Sequence, residues 1–175
     1  MSAQTPSYLL DKNVIRRLLK GLLLLDEASA EEQLAVALWV KLRQAGCRLY
    51  MSTETAHLLA QFAAYREVGL IVNSLGVLRA GHYFKRWARR LREHGFTRED
   101  AKILSMGTFG TDAEGSILGV STVVTFDQPL LNNYRYQRPA LEDRLAAMRN
   151  DLRQPYAGIV LPEARHPAEL FVAPC

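Results

Sequence analysis

Two short apolar runs in this chain stop on an aspartate and pass straight into a helical pattern. Tyr8-Leu9-Leu10 runs into Asp11, and residues 120–126 (VSTVVTF) run into Asp127. The second run is β-branched and apolar throughout, without the alternation of a half-solvated strand. Such runs belong to strands covered on both faces, as in a parallel sheet. Parallel neighbours cannot be joined by a tight hairpin, so helical crossovers must lie between them. Pro129, two residues after Asp127, suits the first turn of the next helix. The seams therefore argue for an α/β chain with a parallel sheet. At 175 residues the expectation is a single domain, 1–175.

The intervening pattern agrees. Residues 13–25 read as a helix with Val14, Leu18 and Leu22 on one face, and residues 30–45 as a second, with Leu34, Leu38 and Leu42 in step and Gly46 as its stop. Residues 47–52 (CRLYMS) read as a strand ending at Ser52, where Ser52 or Thr53 caps a helix over about 54–66. Residues 67–80 fit either a short strand near 70–72 or a loop with a turn of helix. Residues 82–94 form an amphipathic helix with Phe84, Trp87, Ala88 and Leu91 inward. Thr97 opens a capping box (TRED) before a helix over 98–109. Residues 110–119 look like a loop, 139–153 like a mixed-charge helix, and 157–162 (AGIVLP) like a last strand before a short tail.

Composition narrows the function classes. Apolar residues make up 49%, enough for a core, yet no run approaches the roughly 20 apolar residues of a membrane span. The first residues, MSAQTPSY, lack a basic stretch followed by an apolar one, so no signal peptide is expected. Two cysteines, Cys47 and Cys175, make neither a disulfide framework nor a zinc cluster. A cytoplasmic location is the simple expectation. The net charge of +4 is concentrated: Lys85, Arg86, Arg89, Arg90 and Arg92 stand against Glu93, and the remainder is close to neutral. Such a patch suits a polyanionic partner, although a solvated helix face has the same composition.

Each aspartate at a seam suits a helix N-cap by itself. Two of them at matching strand ends point further, because ligand sites in open parallel sheets form at the carboxyl ends of the strands. Like charges brought together there need a cation to offset them. Carboxylates without histidine or cysteine partners favour a hard ion, Mg²⁺ or Mn²⁺, over zinc. No glycine-rich phosphate loop is present, since no G-K-[ST] follows GTFGTD (residues 107–112), and the four histidines show no paired ligand spacing.

Three segments carry a family resemblance. LLDKNVIRRLL (9–19) resembles the opening of a PIN-domain ribonuclease: strand, Asp, one residue, Asn, helix. TREDAKILSMG (97–107) resembles the later segment in which an acid precedes Ala at a helix start, and VVTFDQPLL (123–131) resembles its T-x-D element. They occur in the family's order and span residues 8–131. The resemblance implies a three-layer α/β/α sandwich with a mostly parallel central sheet, and an acidic site that hydrolyses RNA with Mg²⁺ or Mn²⁺, in relatives that are often toxins held by an antitoxin protein and often homodimers. Asp11, Asp100 and Asp127 match three of its acids, as catalytic and metal-holding residues. Asn13 and Thr125 match its supporting polar residues, and Lys85, Arg86, Arg89 and Arg90 are placed to hold the RNA.

Two departures stand out. At the position of the family's second acid this chain has His57. Either Glu54, three residues earlier on the same helical face, serves in its place, or that acid is missing. Asp100 and Asp127 are also 27 positions apart, more than the family's usual gap, so Asp112 or Glu114 in the intervening loop is an alternative third acid, and Asp112 a candidate supporting residue. The competing readings are a PIN-like scaffold that binds RNA or protein without cleaving, and a nucleotide-binding α/β domain.

Overall fold

The computed structural model describes residues 5–172. The first four residues, which open the stretch read above for a signal peptide, and Cys175 lie outside it. Six strands form one sheet: β1 (Ser7–Leu10), β2 (Arg48–Ser52), β3 (Gly76–Ala80), β4 (Gly110–Thr111), β5 (Thr122–Val124) and β6 (Glu163–Arg165). Their order is β4-β3-β2-β1-β5-β6. Every pairing is parallel except the short β3–β4 pair. Among the described residues seven α-helices flank it: α1 (Lys12–Leu23), α2 (Ala30–Gln44), α3 (Thr53–Ala60), α4 (Arg66–Ser74), α5 (Phe84–Glu93), α6 (Arg98–Phe109) and α7 (Gln128–Arg149). None of the described helices is long and apolar enough to cross a membrane.

The two-residue period of the strands divides the core into layers. Tyr8, Leu10, Leu49, Met51 and Val124 pack with α1, α2 and α4 on one face. Leu9, Tyr50 and Val123 point to the other face, where Leu78 joins them against Met106 of α6. There α5, α6 and α7 enclose Trp87, Leu91, Phe109, Leu131, Tyr134 and Leu141. Both faces are thus covered, as the unalternating strands require, and the architecture is the expected α/β fold with a mostly parallel sheet between helical layers.

Three local expectations are corrected. Residues 70–72 are not a strand but part of α4, because Val68, Ile71 and Leu75 are buried at helical spacing. The helix expected after Asp127 and the one expected over 139–153 are a single helix, α7, which begins at Gln128, runs through Pro139 and ends at Arg149. The backbone bond that Pro139 cannot donate would go to the carbonyl of Arg135, and both residues are exposed, so the loss falls on the solvent side. Residues 157–162 form no strand. Ile159 and Leu161 are buried against the α7 side, and Pro162 has no N–H for a ladder, so pairing with β5 begins at Glu163, whose N–H reaches the Ser121 carbonyl at 2.9 Å. Residues 110–119 are loop apart from β4 and one bridge between Thr111 and Leu118.

A candidate acidic active site at the sheet's switch point

The chain leaves β1 toward β2 and β3 on one side, and returns to its other side as β5 and β6. Crossovers on the two sides diverge at such a switch and leave a crevice beyond the carboxyl ends of the strands. β1 and β5 are in register with Leu10 opposite Val124, and the Asp11 N–H donates to the Val124 carbonyl at 2.9 Å. Asp11 and Asp127 therefore leave adjacent strands at the same edge. A cleft of about 370 Å³ opens there, lined by Asp11, Glu54, Asp100 and Asp127 together with Phe84, Ile103, Met106 and Leu130. The four acids come from four separate segments of chain.

Each aspartate also caps a helix. Asp11 Oδ1 accepts from the Lys12 N–H at 2.6 Å, and Asp127 Oδ1 from the Leu130 N–H at 3.0 Å. Asp100 belongs to the capping box of α6, where it accepts from the Thr97 N–H at 3.1 Å. Capping and lining the cleft are compatible, because helix starts at a sheet's carboxyl edge point their first turns at the crevice.

Asn13 and Thr125 tie the two seams together. The Thr125 hydroxyl donates to Asp11 Oδ2 at 2.7 Å, and its oxygen accepts from Asn13 Nδ2 at 2.9 Å and from the Asp127 N–H at 3.1 Å. Asn13 Nδ2 also donates to Asp11 Oδ2 at 2.9 Å, and its carbonyl oxygen accepts from the Phe126 N–H at 3.1 Å. Burial pushes the Asp11 carboxyl above its ordinary value. The Thr125 hydrogen bond, the Lys12 N–H and the Lys12 charge oppose that shift, and the nearby charge of Asp127 adds to it.

Glu54 lines the cleft, whereas His57 is exposed and is not part of the lining. Asp112 is a correction: it does not line the cleft. β4 runs antiparallel to β3 and carries the following loop back from the carboxyl edge. There Asp112 binds the N–H groups of Ser116 and Ile117 and the Ser116 hydroxyl, and these bonds hold its carboxyl below the ordinary range. The extra length between Asp100 and Asp127 is this excursion. On α5, Lys85, Arg86 and Arg89 are exposed just past Phe84, while Arg90 is paired with Glu93 at 3.0 Å, and Arg144 of α7 shares that glutamate.

The sequence reading passed over Lys12, Glu99 and Lys102, which also line the cleft. Lys102 Nζ lies 3.0 Å from Glu99 and 3.7 Å from Glu54, and Lys12 Nζ lies 3.8 Å from Glu99. The Lys102 hydrogen bond is the chief cause that holds the Glu99 carboxyl below its ordinary range. Their positions, beside Asp11 and flanking Asp100, were the available signal.

Among the described residues no three acid, histidine or cysteine side chains are drawn together closely enough to hold an ion. The donor chemistry nevertheless fits a hard divalent cation. The described lining offers carboxylate oxygens with no histidine or cysteine, and Mg²⁺ is commonly held by one or two carboxylates with waters and substrate phosphate completing its shell. Asp11 and Asp127 are the pair close enough to sense one another's charge.

No family model and no curated protein matches the chain. Among solved structures it is similar to the crystal structure of PAE2754 from Pyrobaculum aerophilum, at 22% identity over 82% of this chain and 99% of that one, with a TM-score of 0.43. A likeness of that size carries no argument about what the chain does.

Proposed function

We propose that the chain is a PIN-like endoribonuclease that hydrolyses RNA phosphodiester bonds with Mg²⁺ or Mn²⁺ held by Asp11 and Asp127, with Asp100 beside them. The observation that carries this reading is the convergence of Asp11, Glu54, Asp100 and Asp127 on one cleft at the switch point. Such a cation, when bound, lowers the pKa of its water and offsets charge on the leaving oxygen. The protein's own contribution is orientation. Thr125 and Asn13 fix both seams, and the Thr125 hydroxyl favours the ionised form of Asp11 that a cation needs. The exposed cations of α5 follow directly from Phe84 in the cleft lining and suit an RNA backbone. The reading extends to the toxin of a toxin–antitoxin pair, with a small protein partner that suppresses it.

One observation favours a scaffold that binds RNA without cleaving it: Glu54 is engaged by Lys102. Cleavage of single-stranded RNA by the parent and by Asp127→Asn, with and without Mn²⁺, separates the two readings. The amide still caps α7 while one charge is lost, so the variant should fold and fail to cleave. Metal at 100 times its Kd should stabilise the parent by about 2.7 kcal/mol and the variant by much less. A parent that neither cleaves nor gains stability with metal refutes the nuclease reading.

A further inference from the structure

Beside the three aspartates the cleft contains a second charge arrangement, which takes in Glu54. Its lining holds the carboxylates of Asp11, Glu54, Glu99, Asp100 and Asp127 with the ammonium groups of Lys12 and Lys102. The lysines come from α1 and α6, and their ion pairs reach Glu99 of α6 and Glu54 of α3. Lys12 and Lys102 side chains are each 38% exposed, whereas Glu54 and Glu99 are 56% and 58% exposed. The lysine side chains are thus more covered than those of the carboxylates that hold them. A negatively charged strand entering a cleft of five carboxylates is repelled unless cations meet it.

We infer that Lys12 and Lys102 are the substrate-phosphate contacts of this cleft, held ready by Glu99 and Glu54. The inference rests on the nuclease reading for the identity of the substrate as RNA. Half-exposed ion pairs of this kind are individually weak, so exchanging a glutamate for a phosphate oxygen costs little. The new bond is charge-assisted on both sides. Glu99 is the positioning residue, because among the described residues it alone reaches both ammonium groups, at 3.8 Å and 3.0 Å. The arrangement divides the cleft by role: Asp11 and Asp127 at the strand ends would hold the cation, and the lysines receive the anionic backbone beside it.

The test uses the full chain and a fluorescent single-stranded RNA oligonucleotide. RNA affinity is measured in EDTA, where cleavage cannot intervene, across a salt series. The proteins are the parent, Lys12→Met, Lys102→Met, the double variant, Lys102→Arg, and Lys20→Met as an exposed control on α1. Each lost phosphate contact should reduce the salt slope by about 0.7, which at 0.1 M salt corresponds to about fivefold in affinity. Lys102→Arg and Lys20→Met should bind like the parent. Calorimetry with Mn²⁺ should show the double variant binding metal as tightly as the parent or more tightly, since two competing cations are gone. A merely structural ionic strap predicts lowered melting temperatures with unchanged RNA affinity and salt slope. That result, or a parent that does not bind RNA, overturns the inference. Loss of RNA binding in the double variant of a parent that never cleaves instead refutes the nuclease reading and leaves the phosphate contacts standing.

Discussion

Thr125→Val is the sharpest probe of the network behind the cleft. Thr125 is completely buried, and its hydroxyl makes three hydrogen bonds: one donated to the Asp11 carboxylate, and two accepted, from Asn13 and from the Asp127 N–H. Valine fills the same volume, so no cavity opens and the whole effect is polar. The donated bond meets a charged acceptor, which is worth about 1.5–3 kcal/mol, and each accepted bond adds about 1 kcal/mol. Asn13 Nδ2 retains Asp11 Oδ2 as a partner at 2.9 Å, so its share is small. The variant should lose about 3 kcal/mol in all, because the three bonds share one network and are not independent. With a urea slope of about 2 kcal/mol per molar, the midpoint falls by about 1.5 M. Thr125→Ser is the control. It keeps the hydroxyl and loses one buried methyl, worth about 1 kcal/mol. The assay is equilibrium urea unfolding, followed by tryptophan fluorescence and circular dichroism together. If Thr125→Val proves as stable as Thr125→Ser, the hydroxyl does not hold the seams and the argument for a preorganised Asp11 fails.

Two further outcomes follow from the same structure. Burial holds the Asp11 carboxyl above its ordinary value of 3.8, so the folded chain retains this proton to higher pH than the unfolded chain does. Stability from this group therefore falls as pH rises from the unfolded pKa through the folded one, and is flat above. In chelator, Asp11→Asn should gain on the parent across that window in a urea series, and a difference independent of pH would refute the burial argument. Gly107 lies where α6 crosses β5, and a Cβ there would meet Val123 Cγ2 at 2.5 Å and Pro162 Cγ at 3.2 Å. Gly107→Ala should cost about 1–3 kcal/mol despite the better helix propensity of alanine, read as a lowered melting temperature.

The misses in the sequence reading have local causes. The helix start after Asp127 and the helix over 139–153 look separate in the sequence because Pro139 falls between them, yet a proline on the exposed side of a helix can also sit in its middle. AGIVLP has a strand's composition, yet its apolar residues are spent on the α7 side and the backbone pairs only after Pro162. Asp112 was a reasonable acid by spacing, but an antiparallel return is invisible in a single sequence and carries it away from the carboxyl edge.

What the sequence by itself determined is local. The unalternating β-branched run at 120–126 requires a sheet covered on both faces, the residues at the seams and the TRED box set where α1, α6 and α7 begin, and helical spacing sets the inward faces of α1, α2 and α5. These follow from side-chain period and capping chemistry within a few residues, so they can be read without knowing what lies opposite. Only the tertiary structure decided that β5 returns beside β1 rather than beyond β3. That one choice of strand order sets Asp127 next to Asp11, lets the Thr125 hydroxyl reach across 114 positions, and brings Lys102 of α6 to Glu54 of α3. Strand order is fixed by the sum of packing over two helical layers, and no single residue pattern carries that sum. The cleft is therefore foreshadowed residue by residue in the sequence, but assembled only by the fold.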